Sequence, residues 1–236
     1  HQRQRYPDGY FNLGVAHGMA GVLVVLCMAV AARIEETRAA ALADGLVQWI
    51  RNLRQEDQDD LAQFPSIWVP GEPPTRSRQA WCYGDPGLAA AWLWAAHLRQ
   101  SPLWKREALD VLRRCAPVTF EHARIHDAGL CHGAAGLAQI YNRAFQHTRE
   151  EVFREAAVRW LRQIMAMRTG GGFGGYQAYR PGDAWTSGPA DPQYWADEPN
   201  LLEGSAGIGL TLLAGISTTT PNWDRRLLMA APPASA

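Results

Sequence analysis

Four glycine pairs, each followed by a run of small and apolar residues, constrain the fold of this chain more than any other feature. The pairs are Gly18/Gly21, Gly84/Gly87, Gly133/Gly136 and Gly204/Gly207. The runs after them, at 22–32, 88–97, 137–145 and 208–215, are apolar on almost every helical face, which predicts helices buried on all sides. Only glycine permits very close approach of two backbone segments, so the pairs predict that these helix starts crowd together at one rim of the domain.

Amphipathic segments alternate with the apolar ones, at 37–54, 104–114 and 151–168. In the last of these, Phe153 and Trp160 share an apolar face, while charged residues occupy the rest of the surface. A buried helix followed by an amphipathic helix, repeated along the chain, predicts an all-α domain with an inner ring of helices inside an outer ring.

Two cysteines and a histidine stand just before two of the glycine pairs: Cys82, and the adjacent Cys131 and His132. Two thiolates and an imidazole form a three-ligand zinc set, which leaves the fourth tetrahedral position open. A thiol that binds there loses its proton, so the pattern favours activation of a substrate thiol. The alternative is two buried cysteines and a core histidine, but the shared position before a glycine pair favours the metal site.

At these residues the chain resembles the lanthionine synthetase C-like family, the zinc cyclases of lanthipeptide (lantibiotic) biosynthesis. The matching segments are Ala16-His17-Gly18-Met19-Ala20-Gly21, Trp81-Cys82-Tyr83-Gly84, Cys131-His132-Gly133, Leu202-Glu203-Gly204-Ser205-Ala206-Gly207-Ile208-Gly209 and Pro221-Asn222-Trp223-Asp224. The resemblance implies an (α/α) toroid, with about four of the family's seven inner/outer helix pairs present in residues 1–224. We expect 225–236 to form a flexible tail. The chain begins without Met, and we expect an internal fragment whose N-terminal repeats are missing.

The resemblance also implies roles for individual residues. Cys82, Cys131 and His132 match the zinc ligands, and His17 matches a histidine proposed for proton transfer. Arg78 matches an active-site arginine, and Tyr83 matches a tyrosine beside the metal. The plain alternatives are a helix-capping histidine, a solvated arginine and a rim aromatic. The family's aspartate from an earlier repeat has no counterpart here, so we expect this chain alone to be poorly active.

The implied activity is Michael addition of a peptide cysteine to dehydroalanine or dehydrobutyrine, which forms a lanthionine thioether ring. Three alternatives stay open: a transferase of the same family that adds glutathione, a non-catalytic helical scaffold with a structural zinc, and a ring-shaped glycosidase. The last would need paired carboxylates, for which Asp85 and Glu203 are the rim candidates.

The expected partner is a dehydrated precursor peptide with its leader, and the dehydratase and exporter of the pathway are further candidates. Basic and acidic residues balance at 23 each, so no nucleic-acid partner is indicated. The longest apolar run, 19–32, is too short to cross a bilayer. Four cysteines in 236 residues do not make a disulfide framework, and Cys27 and Cys115 are expected to be packed or free thiols. Thiolate ligands fit a reducing cytoplasm.

Two long connections, 55–78 and 169–200, are rich in Pro, Gly and Trp, and connections of this length are usually functional or disordered. In the second, Trp185, Tyr194 and Trp195 are candidates to line a peptide groove. Packing of the loop onto the helices is an equally good interpretation.

Overall fold

The computed structural model describes residues 2–55, 62–74, 76–180 and 194–229, and most of them are helical. The α-helices are α1 Gln2–Arg5, α2 Met19–Ala31, α3 Glu36–Asn52, α4 Asp85–Leu98, α5 Pro102–Cys115, α6 Phe120–Ala123, α7 Ala134–Thr148, α8 Glu151–Ala166 and α9 Ser205–Ile216, and a 3-10 helix spans Trp223–Leu227. The strands are β1 Phe11–Asn12, β2 Ile67–Trp68, β3 Ala178–Arg180 and β4 Tyr194–Ala196. None of the described helices is long and apolar enough to span a membrane.

The helices form an arc of two concentric layers. The inner helices α2, α4, α7 and α9 each contact the next in this order, and α3, α5 and α8 pack outside α2, α4 and α7, respectively. The predicted alternation of buried and amphipathic helices is therefore confirmed. Within the described residues the arc contains four inner helices but three outer ones, because the chain after α9 forms the 3-10 helix instead.

Every inner helix begins directly after the first glycine of a pair, at Met19, Asp85, Ala134 and Ser205. The loop before each helix folds back over its first turn, and the carbonyl six residues before each glycine lies against its Cα. A Cβ at any of the eight glycines would collide with that carbonyl; the carbonyls belong to Asn12, Val15, Arg78, Trp81, Asp127, Leu130, Glu198 and Leu201. The glycine pairs are thus required by a repeated loop geometry.

All-round burial holds only for the two central inner helices. Almost the whole of α4 and α7 is buried, whereas α2 exposes Val22, Val25 and Met28, and α9 exposes Leu213 and Ile216. The prediction of complete burial was wrong for α2 and α9. Among the described helices these two lie at the ends of the arc, and each contacts one inner helix there.

The segment after Asp224 contacts the domain where the structure describes it. Met229 is buried, and the carbonyl of Leu227 accepts a 2.7 Å hydrogen bond from the indole Nε1 of Trp81. Arg225 and Arg226, which lie between Asp224 and Leu227, are exposed, and the remainder of the segment predicted as a tail lies outside the described residues.

The long connections contribute to two short antiparallel pairings: β2 of the first connection pairs with β1, and β3 and β4 of the second connection pair with each other. In the second pairing Tyr179 lies opposite Trp195. Trp185 lies outside the described residues, as does the side chain of Tyr194. Cys27 and Cys115 are fully packed in α2 and α5, as the sequence predicts.

Candidate metal centre

The loops that precede the inner helices are joined to one another through their backbones. The amide of Val15 donates to the carbonyl of Cys82 at 3.1 Å, and the amide of Cys82 donates to the carbonyl of Cys131 at 3.0 Å. The amide of Cys131 then donates to the carbonyl of Leu202 at 2.6 Å. This chain of hydrogen bonds, which we call the rim ladder, places all four helix starts at one end of the arc.

The rim ladder brings three possible metal ligands together. One ligand atom each from Cys82, Cys131 and His132 lies within 4.8 Å of the other two. Ligands at about 2.0–2.3 Å from a tetrahedral zinc are separated by about 3.3–3.8 Å, so the three atoms need little movement to share an ion. Within the residues that the structure describes, no fourth cysteine, histidine or carboxylate completes the group. The donor set, two sulfurs and one nitrogen, fits zinc with one position open to a ligand from solution.

Hydrogen bonding between the three groups already favours a thiolate. The contact with Cys131, reinforced by His132, outweighs burial and lowers the pKa of Cys82 to about 5. The same contact raises the pKa of Cys131, since its thiol is the donor. The bond to Cys82 raises the pKa of His132, which burial alone would lower. A divalent cation would replace the protons that hold this cluster together, so its binding must release protons.

Asp127 is a buried acid beside the cluster that the sequence did not reveal. Its Oδ2 atom lies 3.8 Å from Nε2 of His132, and its side chain is 0% exposed. The carboxylate also accepts the backbone N–H of Gly129 at 3.0 Å and that of Tyr179 at 2.9 Å. Its negative charge helps to raise the pKa of the His132 imidazole. The available signal was its position six residues before Gly133, which matches the position of Arg78 before Gly84.

The other predicted site residues lie at the same rim with different surroundings. Arg78 is exposed, and its charge helps to lower the pKa of Cys82. The hydroxyl of Tyr83 accepts a 2.8 Å hydrogen bond from Nδ2 of Asn12, so Tyr83 links two neighbouring loops. His17 is exposed in the turn that leads into α2, two residues after the start of the rim ladder at Val15.

A family model described as lanthionine synthetase C-like protein matches residues 1–228. The chain belongs to the lanthionine synthetase C-like family. Among curated relatives of the family, it is 27% identical over 151 residues to the nisin biosynthesis protein NisC of Lactococcus lactis subsp. lactis, which covers 59% of this chain and 34% of that protein.

A solved structure has the same fold as this chain. The nisin cyclase structure matches 96% of this chain and 52% of its own chain, with a TM-score of 0.70 at 19% sequence identity. The all-α toroid architecture is therefore confirmed. The chain spans about half the length of that structure and about a third of the curated relative.

The two rim acids of this lanthionine synthetase C-like chain are engaged in structural contacts. Asp85 is fully buried and accepts the backbone N–H groups of Gln63 and Phe64 at 2.6 and 3.1 Å. Glu203 forms a 2.6 Å ion pair with Arg180. Asp85 is therefore enclosed by the protein, and Glu203 is held in an ion pair with Arg180. The two acids do not offer the two free carboxyl groups that a glycosidase needs.

Proposed function

We propose that this chain forms the zinc-binding part of a lanthipeptide cyclase, which adds peptide cysteine thiols to dehydroalanine or dehydrobutyrine. One observation carries the proposal: two thiols and an imidazole converge at a rim where no fourth described side chain completes the site. A structural zinc site would be closed by a fourth protein ligand. Bound zinc would hold the sulfur of a substrate cysteine in the open position as a thiolate.

The surrounding residues supply the remaining steps of the addition. The thiol proton must be removed, the sulfur forms a bond to the β-carbon of the dehydroamino acid, and the resulting enolate takes a proton at its α-carbon. His17, an exposed imidazole in the turn before α2, is the proposed proton carrier at this rim. In this proposal the cationic Arg78 stabilises the negative charge on the enolate oxygen. Tyr83 holds the loop before α2 through Asn12, and thereby positions His17.

The substrate in this proposal is a dehydrated precursor peptide with its leader, and the protein works in a reducing compartment such as the cytoplasm. Reducing conditions keep Cys82, Cys131 and the substrate thiols available for the metal. The dehydratase and exporter of the pathway are proposed partners.

The decisive experiment is metal analysis of the purified chain, combined with zinc-edge X-ray absorption. We expect one zinc per chain, with two sulfur ligands near ~2.3 Å, one nitrogen near ~2.0–2.1 Å, and a fourth ligand that exchanges when a small thiol is added. Cys82→Ala should lose the zinc, whereas the matched change Cys27→Ala, in the packed α2 helix, should keep it. A fourth ligand from the protein would make the site structural and would contradict the proposal.

Activity is tested on the complete gene product with a dehydrated precursor peptide. Ring formation leaves the mass unchanged, so free thiols are trapped with an alkylating reagent and uncyclised peptide gains mass. Cys82→Ala should leave every thiol open to alkylation. Addition of free glutathione to the peptide, with the peptide's own thiols left unreacted, would instead identify the transferase.

A further inference from the structure

A cavity of about 320 Å³ is lined by Asp127, whose carboxylate lies 3.8 Å from His132 of the candidate metal centre. It is formed by the loop before α7, the C-terminal end of α8 and the β3–β4 pairing. Its lining residues are His126, Asp127, Ala128, Met167, Thr169, Tyr176, Gln177 and Trp195. Pockets for whole drug-sized ligands begin at about 300 Å³, so this cavity has room for one large side chain.

Three aromatic side chains line the cavity, His126, Tyr176 and Trp195; together with Tyr179, whose ring contacts two of them, they form what we call the aromatic wall. The ring of His126 lies 4.4 Å from that of Tyr179, measured between centroids, and the ring of Tyr179 lies 5.4 Å from that of Trp195 in an edge-to-face arrangement. Tyr176 is almost fully buried, whereas Trp195 is 53% exposed. An exposed tryptophan held by a neighbouring ring presents a rigid apolar surface at the mouth of the cavity.

The polar groups of the cavity already have partners within the protein. The amide of Gln177 donates to Oδ1 of Asp197 at 2.8 Å. The carboxylate of Asp127 accepts two backbone N–H groups, one of them from Tyr179 at the base of the aromatic wall. The cavity therefore offers apolar contact to an occupant, and little unsatisfied hydrogen bonding.

We propose that this cavity binds an aromatic side chain of the peptide substrate, close in sequence to the cysteine whose sulfur is held at the metal centre. Asp127 forms part of the cavity and also lies 3.8 Å from the ring of His132, so the two sites are separated by one side chain. An extended peptide advances about 3.3–3.6 Å per residue, which places the aromatic residue within about three positions of the cysteine. The proposal rests on the proposed function, and it makes the aromatic wall the element that chooses which cysteine is presented.

The test uses the zinc-loaded chain and seven acetylated heptapeptide amides with cysteine at the centre. One has glycine at the other six positions, and each of the others has phenylalanine at one of them. Isothermal titration calorimetry should show that phenylalanine at one or two positions lowers Kd about tenfold or more, since burial of that side chain carries roughly this gain. Replacing that phenylalanine by glutamate should remove the gain.

Two variants probe the cavity from opposite directions. Trp195→Ala removes the exposed ring, and Thr169→Phe fills the mouth; both should reduce the phenylalanine preference to less than about threefold, because either change removes most of the contact area. Met165→Ala, on the exposed face of α8, is the matched control and should keep the full preference. Bound zinc and the helical circular dichroism spectrum report that each variant is folded.

Failure of this proposal can be distinguished from failure of the proposed function. Equal gains from phenylalanine at all six positions, no gain at any position, or a full preference in both cavity variants would each overturn the aromatic pocket. The thiol contribution is measured separately with peptides in which serine replaces cysteine. If serine peptides bind as tightly as cysteine peptides but keep a preference that depends on Trp195, the pocket stands and the thiol-binding function fails.

Discussion

The backbone amide of Cys82 donates a 3.0 Å hydrogen bond to the carbonyl of Cys131, so these two proposed ligands are linked through their main chains as well as through their thiols. The main-chain positions of both residues are therefore set by the rim ladder. In such a site the side chains determine the affinity for the metal, and the backbone hydrogen bonds hold the loops together.

Replacement of Cys131 by alanine should separate these two contributions. In the presence of a chelator, the free energy of unfolding should change by less than about 1 kcal/mol, because a half-buried thiol is lost and no backbone bond is broken. Zinc affinity should fall by more than the roughly 10–100-fold that loss of an outer-shell contact costs. Chemical denaturation and competition with a chromophoric chelator measure the two effects. Global unfolding of this variant without metal would show that the thiol, and not the ladder, holds the rim.

His17→Asn should affect chemistry and spare binding. The histidine is exposed and lies outside the ligand cluster, so zinc content and affinity for the dehydrated peptide should stay as in the wild type. Cyclisation by the complete gene product should slow by about 10²–10⁴-fold, which is the usual contribution of a general acid–base group. The thiol-alkylation assay measures the rate. Cyclisation at the wild-type rate would remove His17 from the proposed proton transfer.

Two glycine-to-alanine changes should have opposite effects on stability. At Gly87 a Cβ would collide with the carbonyl of Trp81, and no flexible side chain is available to move away. Gly87→Ala should therefore destabilise the domain by several kcal/mol, within the range of backbone strain and overpacking. Gly45 lies in the middle of α3 with open space around its Cα, so Gly45→Ala should stabilise by about 0.5–1 kcal/mol. Urea denaturation of both variants checks the pair, and an unchanged midpoint for Gly87→Ala would contradict the loop geometry.

The buried ion pair between Arg143 and Asp224 should be essential to the C-terminal 3-10 helix. Nε of Arg143 lies 3.1 Å from Oδ2 of Asp224, and their side chains are 7% and 0% exposed. Gln139 donates a further 2.7 Å hydrogen bond to the same oxygen. Asp224→Ala leaves a buried cation without its partner and should cost about 3–5 kcal/mol.

An exposed ion pair provides the comparison for Asp224. Glu151 pairs with Arg154 on the surface of α8, and Glu151→Ala should leave the stability almost unchanged, because solvent screens an exposed ion pair. Thermal denaturation of the two variants under the same conditions measures the difference. Similar losses of stability in both would mean that the Arg143–Asp224 pair contributes no more than a surface contact.

Asp85 should make stability depend on pH between about 4 and 7. Burial outweighs its hydrogen bonds from Gln63 and Phe64 and raises its pKa from 3.8 to about 7. Between these values the folded state keeps a proton that the unfolded state releases. The stabilising contribution is therefore complete below pH 4 and is lost, at roughly 1.4 kcal/mol per pH unit, as the pH rises toward 7.

Asp85→Asn lacks this proton equilibrium and isolates the effect. The difference in unfolding free energy between wild type and variant should shift against the wild type as the pH rises from 4 to 7, and should be constant above about 8. All measurements are made in chelator, so that metal release does not contribute. A difference that is independent of pH would show that Asp85 is ionised in the folded protein throughout.

The glycine pairs and apolar runs were sufficient to predict the order of the helices and the end at which they meet. They did not give the helix starts, which lie three residues earlier than the apolar runs suggested. The first turn of each inner helix contains the second glycine of the pair and packs against the preceding loop, so it is not marked by large apolar residues. The exposed faces of α2 and α9 were also missed, because an apolar sequence shows that a helix can be buried but does not show whether a neighbouring helix covers it.

The candidate site divides in the same way. The cluster of Cys82, Cys131 and His132 was predictable because each residue stands at a repeated position before a glycine pair. Asp127 was not, because its surroundings depend on Tyr179, which lies 52 residues further along the chain. The contact between Tyr83 and Asn12 spans 71 residues and was equally invisible to local patterns.

The four loops before the inner helices contain equivalent positions for side chains. The residues two positions before the first glycine of each pair are Ala16, Cys82, Cys131 and Leu202. The residues directly before that glycine are His17, Tyr83, His132 and Glu203. The ladder bonds are made by the main chains of Val15, Cys82, Cys131 and Leu202, so a side chain at 202 can be changed without loss of a ladder bond. A cysteine introduced at 202 would stand at the position that Cys82 and Cys131 occupy in their own loops, and we expect it to supply a fourth sulfur that closes the proposed zinc site.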